Sequence, residues 1–391
     1  MTSQDNPTQG PDIEALFQLG SGRFDRLLER ARLAHGARLH LGRVAALSAA
    51  VAWVPLLILA AIEGVAWGNR VAVPLLKDFL PYGQFLLATP VLVFGEKVVG
   101  KRLGWTVAEL RRSDILAPED TPALDIFLTR VIQLWQGSSV NVVFLLLTCA
   151  VTIRSLWGVP EWLTGGWQSV GGRLTLPGWW YLLISLSLLR FLVLRWLWRF
   201  LLWSWLLWRA ARLRLQLQPV HPDRAGGLAF LGGVQVGFSL LVFAFSVQLS
   251  CLIADAAWYR GADPMAFKGH VLVFVVISVL LLILPLIVFA PALVYAREEG
   301  LVFLSGSGNR SAVKLERKLR SNRTRELPES EISSLADFGE LYENARLMRP
   351  LPLELRHILS MVLAAILPFL PLVFLVMPAQ EVLRTLVELI K

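Results

Sequence analysis

Long apolar runs, separated by short basic or polar segments, recur from residue 44 to residue 377. A run of about 18 or more apolar residues reads as a membrane span. Only a helix or a closed barrel satisfies every backbone N–H and C=O where water is absent. Hydrophobic residues make up 55% of the 391 residues and charged residues 17%, against about 25% charged in an ordinary soluble domain. The expected class is therefore all-α: a polytopic membrane helix bundle of about seven transmembrane helices.

The expected spans are 44–67, 79–99, 138–157, a fourth starting after Pro177, 228–254, 270–295 and 357–377. Helical composition continues past the fourth span to about Gln218 without a breaker. Some 40 residues at 1.5 Å each make a helix of about 60 Å, twice the hydrocarbon thickness. The stretch 195–218, rich in Trp and Arg, is therefore read as an extension projecting into the cytoplasm or lying along the interface. Many of the fifteen Trp sit at the ends of apolar runs, as interfacial aromatic belts do.

The order of segments follows. Residues 1–43 form a cytoplasmic N-terminal segment, with a basic amphipathic helix over 22–43. Spans 1–6 occupy 44–297. Residues 298–356 form a cytoplasmic polar segment with one basic and one acidic helix. Residues 357–391 hold span 7 and a short tail. No signal peptide is visible, so the first span is expected to act as its own insertion signal.

Charge gives the direction. With the N-terminus cytoplasmic, the inner segments hold 27 Lys+Arg and the outer segments 8. Every inner segment exceeds every outer one, which is the positive-inside pattern. The formal charge of +9 is thus explained by flanks of spans, and no nucleic-acid partner is expected. Cys149 and Cys251 both lie in apolar runs with no CxxC spacing, so neither a disulfide nor a zinc site is expected.

Three constellations are candidates for function. In span 5, Gln235, Ser239, Ser246 and Ser250 fall within about 60° of one another at 100° per residue. They form a polar stripe that suits either a water-lined path or interhelical bonding. Gly233 and Gly237 on the opposite side make a GxxxG pair for close helix contact.

The second is the turn before span 5, His221–Pro222–Asp223–Arg224–Ala225–Gly226–Gly227. Asp223 is placed as an N-cap, and His221, Arg224 and the backbone at Gly226 and Gly227 suit an anion or lipid phosphate. The alternative is a capping turn whose glycines let another element approach. The tripeptide HPD also marks J-domain co-chaperones, but the helices that flank it there are missing.

The third is intramembrane charge: Glu63, Arg190 and Asp255, with Glu96 and the helix-end His270 and His357. Arg190 is expected to pair with Glu63 or Asp255, since ionisable groups within a membrane are costly when alone. Prolines in spans 1, 2, 6 and 7 add kinks. Walker A, GxSxG, HExxH and haem-ligand patterns are absent from the sequence, so no enzyme activity, metal or cofactor is expected.

The run PVHPDRAGGLAFL and the run ISSLADFGELYENARLMRPLPLELRHI resemble a family of uncharacterised bacterial multi-pass inner-membrane proteins over residues 195–391. The resemblance implies architecture and carries no activity. The expected location is the bacterial inner membrane. The leading expectation is a channel or transporter for ions or a small polar solute, with its path along span 5. The alternative is a non-transporting scaffold or sensor whose cytoplasmic segments bind a protein partner or anionic lipid. A homo-oligomer is compatible with both.

Overall fold

A computed structural model describes residues 40–156, 166–321 and 329–376. The described chain is helical apart from a two-residue β ladder, Ser169–Val170 with Arg173–Leu174. Of the amphipathic helix expected over 22–43, residues 22–39 lie outside the described residues, as does the tail from 377, and 40–43 form the start of the first long helix.

Helix α1 is His40–Ile62. Helix α2 comprises Phe79–Pro81, a π-wound segment Tyr82–Ala88, and Thr89–Arg112. Pro90 has no N–H to give the carbonyl four residues before it. The winding is instead bridged by Thr89, whose N–H and Oγ1 both reach Gln84 O. Helix α3 is Thr121–Gln136 and α4 is Ser138–Leu156. Helix α5 runs from Leu176 to Ala210, with a second π segment at Tyr181–Ser185. Helix α6 is Gly232–Arg260. Helices α7 (Lys268–Ile283) and α8 (Ala290–Ser321) are joined by a 3-10 segment that contains Pro285. Helix α9 is Glu329–Arg346, and α10 (Leu355–Ile366) leads through a turn at Pro368 into α11 (Leu370–Val376).

Among the described residues, six helical stretches are long and apolar enough to cross a membrane: Gly42–Ile62, Ser138–Ser155, Leu176–Ala210, Ala229–Arg260, Pro264–Arg317 and Leu355–Val373. Helix α2, expected as the second span, forms but is not among them. It carries Glu96, Lys97, Lys101 and Arg102, and Pro90 and Gly95 dilute its apolar run. It is nonetheless central, because Leu92, Val99, Leu103 and Val107 join the main core.

Helix α6 is the hub, packed against α2 on one side and α10 on another. The first span ends earlier than expected, at Ile62, where residues 63–66 turn back. There Val65 N and Ala66 N both donate to Ala60 O. The helical extension expected to Gln218 ends at Ala210, and it is covered rather than bare: Trp196 and Trp203 are fully buried. Helix α3 lies over it, with Phe127 edge-on to Trp205 at 4.3 Å and Trp135 beneath the Arg199 guanidinium at 4.9 Å. Arginine stacks on aromatic faces more readily than a compact ammonium does, which suits the Trp/Arg-rich composition of this stretch.

Loops sort to two ends of the bundle. At one end Leu75 N bonds Val65 O, Trp167 N bonds Val73 O, and Tyr259 Oη donates to Lys77 O. At the other, Ala117 N bonds Arg214 O, Gln216 N bonds Ile115 O, and Arg349 N bonds Arg224 O.

Candidate functional site

The polar stripe of α6 is buried throughout. Gln235 and Ser246 have no exposed surface, and Ser239 and Ser250 are nearly as enclosed. Ser239 Oγ donates to Val236 O at 2.6 Å and Ser246 Oγ to Val242 O at 2.9 Å, so both hydroxyls are satisfied within their own helix. Gln235 Nε2 donates to Leu282 O at 2.7 Å, across to α7 just before its 3-10 segment. The interrupted α-helical winding there is where a side chain from a neighbour fits. On the opposite side Gly237 faces Val99 of α2, and Gly233 O accepts from Arg102 Nη1 at 3.0 Å. The close approach expected of the glycine pair is made to α2 by Gly237 alone; a Cβ on Gly233 would meet nothing within 4 Å.

The His221–Gly227 turn is organised around Asp223. One carboxyl oxygen accepts from Ala225 N (2.8 Å) and Gly227 N (3.1 Å), and the other accepts from Ala229 N (3.0 Å). His221 Nδ1 lies 2.8 Å from the same carboxyl. Burial raises the Asp223 pKa, but these backbone donors and His221 outweigh it and hold the carboxyl below its ordinary range. Of the two glycine N–H groups expected for an external anion, that of Gly227 is used by the chain's own carboxylate. Gly226 and Gly227 have φ of +64° and +94°, a region an L side chain rarely adopts. Met348 and Leu293 close on Gly226, and Ile115 closes on Gly227. Arg349 Nη2 donates to Asp223 O at 2.7 Å. The turn is a junction of four segments rather than an open site.

The expected pairing of Arg190 with Glu63 or Asp255 is not what forms. Glu63 Oε2 accepts from Leu176 N at 2.6 Å, and Asp255 Oδ1 from Phe79 N at 3.1 Å. Arg190 Nη1 reaches Thr152 Oγ1 at 3.4 Å. The intrahelix acid that does pair is Glu96. Arg195 and Arg199 each approach one of its oxygens at 3.2 Å, and all three side chains are largely buried. Arg195 and Arg199 are four residues apart and share a face of α5, so the reach of α2 to α5 decides the pairing.

A second polar system follows the seam between α2 and α5. Its mouth is the pair Asp78 and Asp255, which accept from the adjacent N–H groups of Leu80 and Phe79 in the first turn of α2. Asp78 Oδ1 caps Leu80 N at 3.0 Å, and Asp78 Oδ2 accepts from Trp167 Nε1 at 2.8 Å and Gln168 Nε2 at 3.3 Å. Burial outweighs these donors and keeps Asp78 above the ordinary carboxylate range. An open cavity of about 650 Å³ lies beside the pair, lined by Leu76, Lys77, Phe79, Tyr82, Trp258 and Tyr259.

Inward from the mouth, the two π segments meet. Tyr181 Oη donates to Gln84 Oε1 at 3.2 Å, and Gln84 Nε2 lies 3.5 Å from Gln248 Oε1 on α6. Tyr181 and Gln84 are buried. Further along α5 come Arg190 with Thr152, and the Thr152–Ser187 hydroxyl pair at 3.0 Å. Beyond these lies Glu96 with its two arginines. Among the described residues no group of His, Cys, Asp and Glu is arranged to hold a metal.

Sequence reasoning named Asp255, Arg190 and Glu96, but it paired Arg190 with Asp255 or Glu63 and gave Glu96 no partner, whereas Glu96 meets Arg195 and Arg199. It missed Asp78, Gln84, Tyr181 and Gln248. The available signal was polar side chains at matching depths on two different helices, which no periodicity within one helix reveals.

No protein-family model, curated protein or solved structure matches the chain.

Proposed function

We propose a seven-crossing bacterial inner-membrane protein, N-terminus in the cytoplasm, that acts as a channel or transporter for ions or a small polar solute. The route follows the α2–α5 seam, from Asp78 and Asp255 at the outer end, past Gln84, Tyr181 and Gln248, to Glu96, Arg195 and Arg199. The observation that carries this reading is the succession of buried polar groups at several depths of an otherwise apolar bundle. Polar and ionisable groups inside a membrane are costly and concentrate on pathways. π-wound segments add weight, because they are frequent at functional sites.

The seven-crossing count includes α2. Its charged residues do not argue against a crossing, since Glu96 is enclosed and paired by α5. Loops assigned to opposite sides by the count fall at opposite ends of the bundle, in alternating chain order. The excess of Lys and Arg in the segments at the end holding His221–Gly227 supports a cytoplasmic position for that end.

The test is flux in proteoliposomes, read as internal pH change and as solute-driven swelling. Asp255→Asn, Gln84→Leu and Tyr181→Phe should each lower flux by about tenfold, a loss of roughly 1.4 kcal/mol in barrier terms. No flux above empty liposomes, or equal flux in all variants, would sink the proposal.

A second reading has one observation of its own. Helices α8 and α9 pack as a hairpin, with Phe338 against Gly308, and Val302 and Phe303 stand about 70% exposed on α8. Such a surface suits a scaffold or sensor that binds a cytoplasmic protein. Deleting 305–345 should abolish partner capture and leave membrane insertion intact. Recovery of no partner by the intact chain would remove this reading.

A further inference from the structure

On the face of the bundle where α1, α2 and α6 meet, an open groove of about 550 Å³ runs along α2. Its walls are apolar apart from Ser239 of α6, whose hydroxyl is turned to Val236 O: Ala45 of α1, Pro90, Phe94 and Val98 of α2, and Val236 and Leu240 of α6. One end is different. Arg102 closes it, held in place by the bond from its Nη1 to Gly233 O. A guanidinium has five N–H donors, so this anchorage leaves others to present. Helices α1 and α2 pack against each other and run in opposite directions from the 63–78 loop, so Arg43, exposed two residues before the groove-lining Ala45, falls toward the Arg102 end. A Cβ built on Gly233 meets nothing within 4 Å, so that end is also roomy.

Dimensions identify the occupant. From Pro90 to Arg102, α2 rises about 18 Å at 1.5 Å per residue. One leaflet of hydrocarbon is about 15 Å deep, half of the bilayer core. An apolar slot one leaflet long, with arginines only at its interfacial end, matches an acyl chain joined to an anionic headgroup in both length and charge.

We propose that this groove is a specific site for an anionic glycerophospholipid, one acyl chain lying along Pro90–Val98 and the phosphate on Arg102 and Arg43. The site requires only that this end of α2 lies at a membrane surface. It stands whether or not the α2–α5 seam carries a solute, because Arg102 and the groove lie on the α1 and α6 side of α2. Lipid snorkelling partners of this kind combine a buried stem with a charged head.

The experiment is native mass spectrometry of the full chain, extracted in mild detergent from membranes holding phosphatidylglycerol and phosphatidylethanolamine. The wild type should retain one phosphatidylglycerol, preferred over phosphatidylethanolamine by about fivefold for each arginine engaged. Arg43→Gln with Arg102→Gln should bring that preference to near one. Val91→Trp and, independently, Val98→Phe fill the slot and should lose the bound lipid; two variants guard against one that fails to fold, which its melting curve reveals. Wild type retaining no lipid, retaining both classes equally, or losing none in either folded filling variant would overturn the proposal.

Discussion

Asp78 and Asp255 share the first turn of α2: Asp78 takes the Leu80 N–H and Asp255 takes the Phe79 N–H. Two carboxyls so placed divide the free donors of one helix N-terminus, where negative charge is favoured. The pair also ties α6 to the loop before α2, since Trp167 and Gln168 complete the Asp78 shell. The outer end of the proposed route is thus held by three segments distant in sequence.

Glu96 sits between two arginines, and the arrangement is asymmetric. Glu96→Gln leaves two buried cations without a counter-ion and should cost about 3 kcal/mol. Arg195→Gln leaves Glu96 still paired with Arg199 and should cost clearly less. Thermal unfolding in detergent checks the order; equal losses would mean the three charges are not a unit.

Gly233 and Gly237 should respond differently. A Cβ on Gly237 would lie 2.9 Å from Val99 Cγ2, and Val99 is buried. Gly237→Ala should therefore cost about 1–3 kcal/mol through overpacking. Gly233→Ala meets open space and should change stability by at most about 1 kcal/mol. Melting temperatures of the two variants test this.

The Asp223 carboxyl, depressed below its ordinary value of 3.8, stabilises the folded state through its charged form. Its contribution is complete above that ordinary value and is lost as the pH falls through the depressed native one. Asp223→Asn should lose stability at neutral pH and lose this component of the acid response. Stability measured from pH 7 down to pH 3 in wild type and variant checks both. An unchanged acid limb would remove Asp223 from the junction.

Gln235→Leu removes one interhelical bond, of about 1 kcal/mol in a membrane bundle. It should lower stability by that order and leave flux unchanged, because Gln235 is enclosed against α7. Flux lost with stability retained would return the route to the α6 stripe.

Much of the architecture was legible from residue patterning. Apolar runs mark the six long helices because lipid or a dry core leaves no other way to satisfy the backbone. Asp223 was expected as the N-cap of span 5, but α6 begins at Gly232 behind Leu231 with no side-chain cap; the carboxylate instead gathers the Ala225, Gly227 and Ala229 N–H groups of its own turn, which is local chemistry. Its role as a junction was not legible, since Arg349, Met348 and Ile115 come from remote segments. The seam was illegible for a related reason: Gln84 and Tyr181 are single polar residues in separate helices. Only their facing π segments bring them within 3.2 Å. Arg190 was assigned by charge alone, whereas packing gave Glu96 to the i, i+4 arginines of the same helix.

Cysteine accessibility on the two faces of α6 and its neighbour tests the route most directly. In a Cys149→Ala, Cys251→Ala background, single cysteines at 84 and 248 are compared with cysteines at 235, 239, 246 and 250, using a membrane-impermeant thiol reagent applied from outside. A route along the α2–α5 seam requires labelling at 84 and 248 and protection of the other four. Labelling of the four stripe positions with protection at 84 and 248 would contradict it and place water on the opposite face of α6.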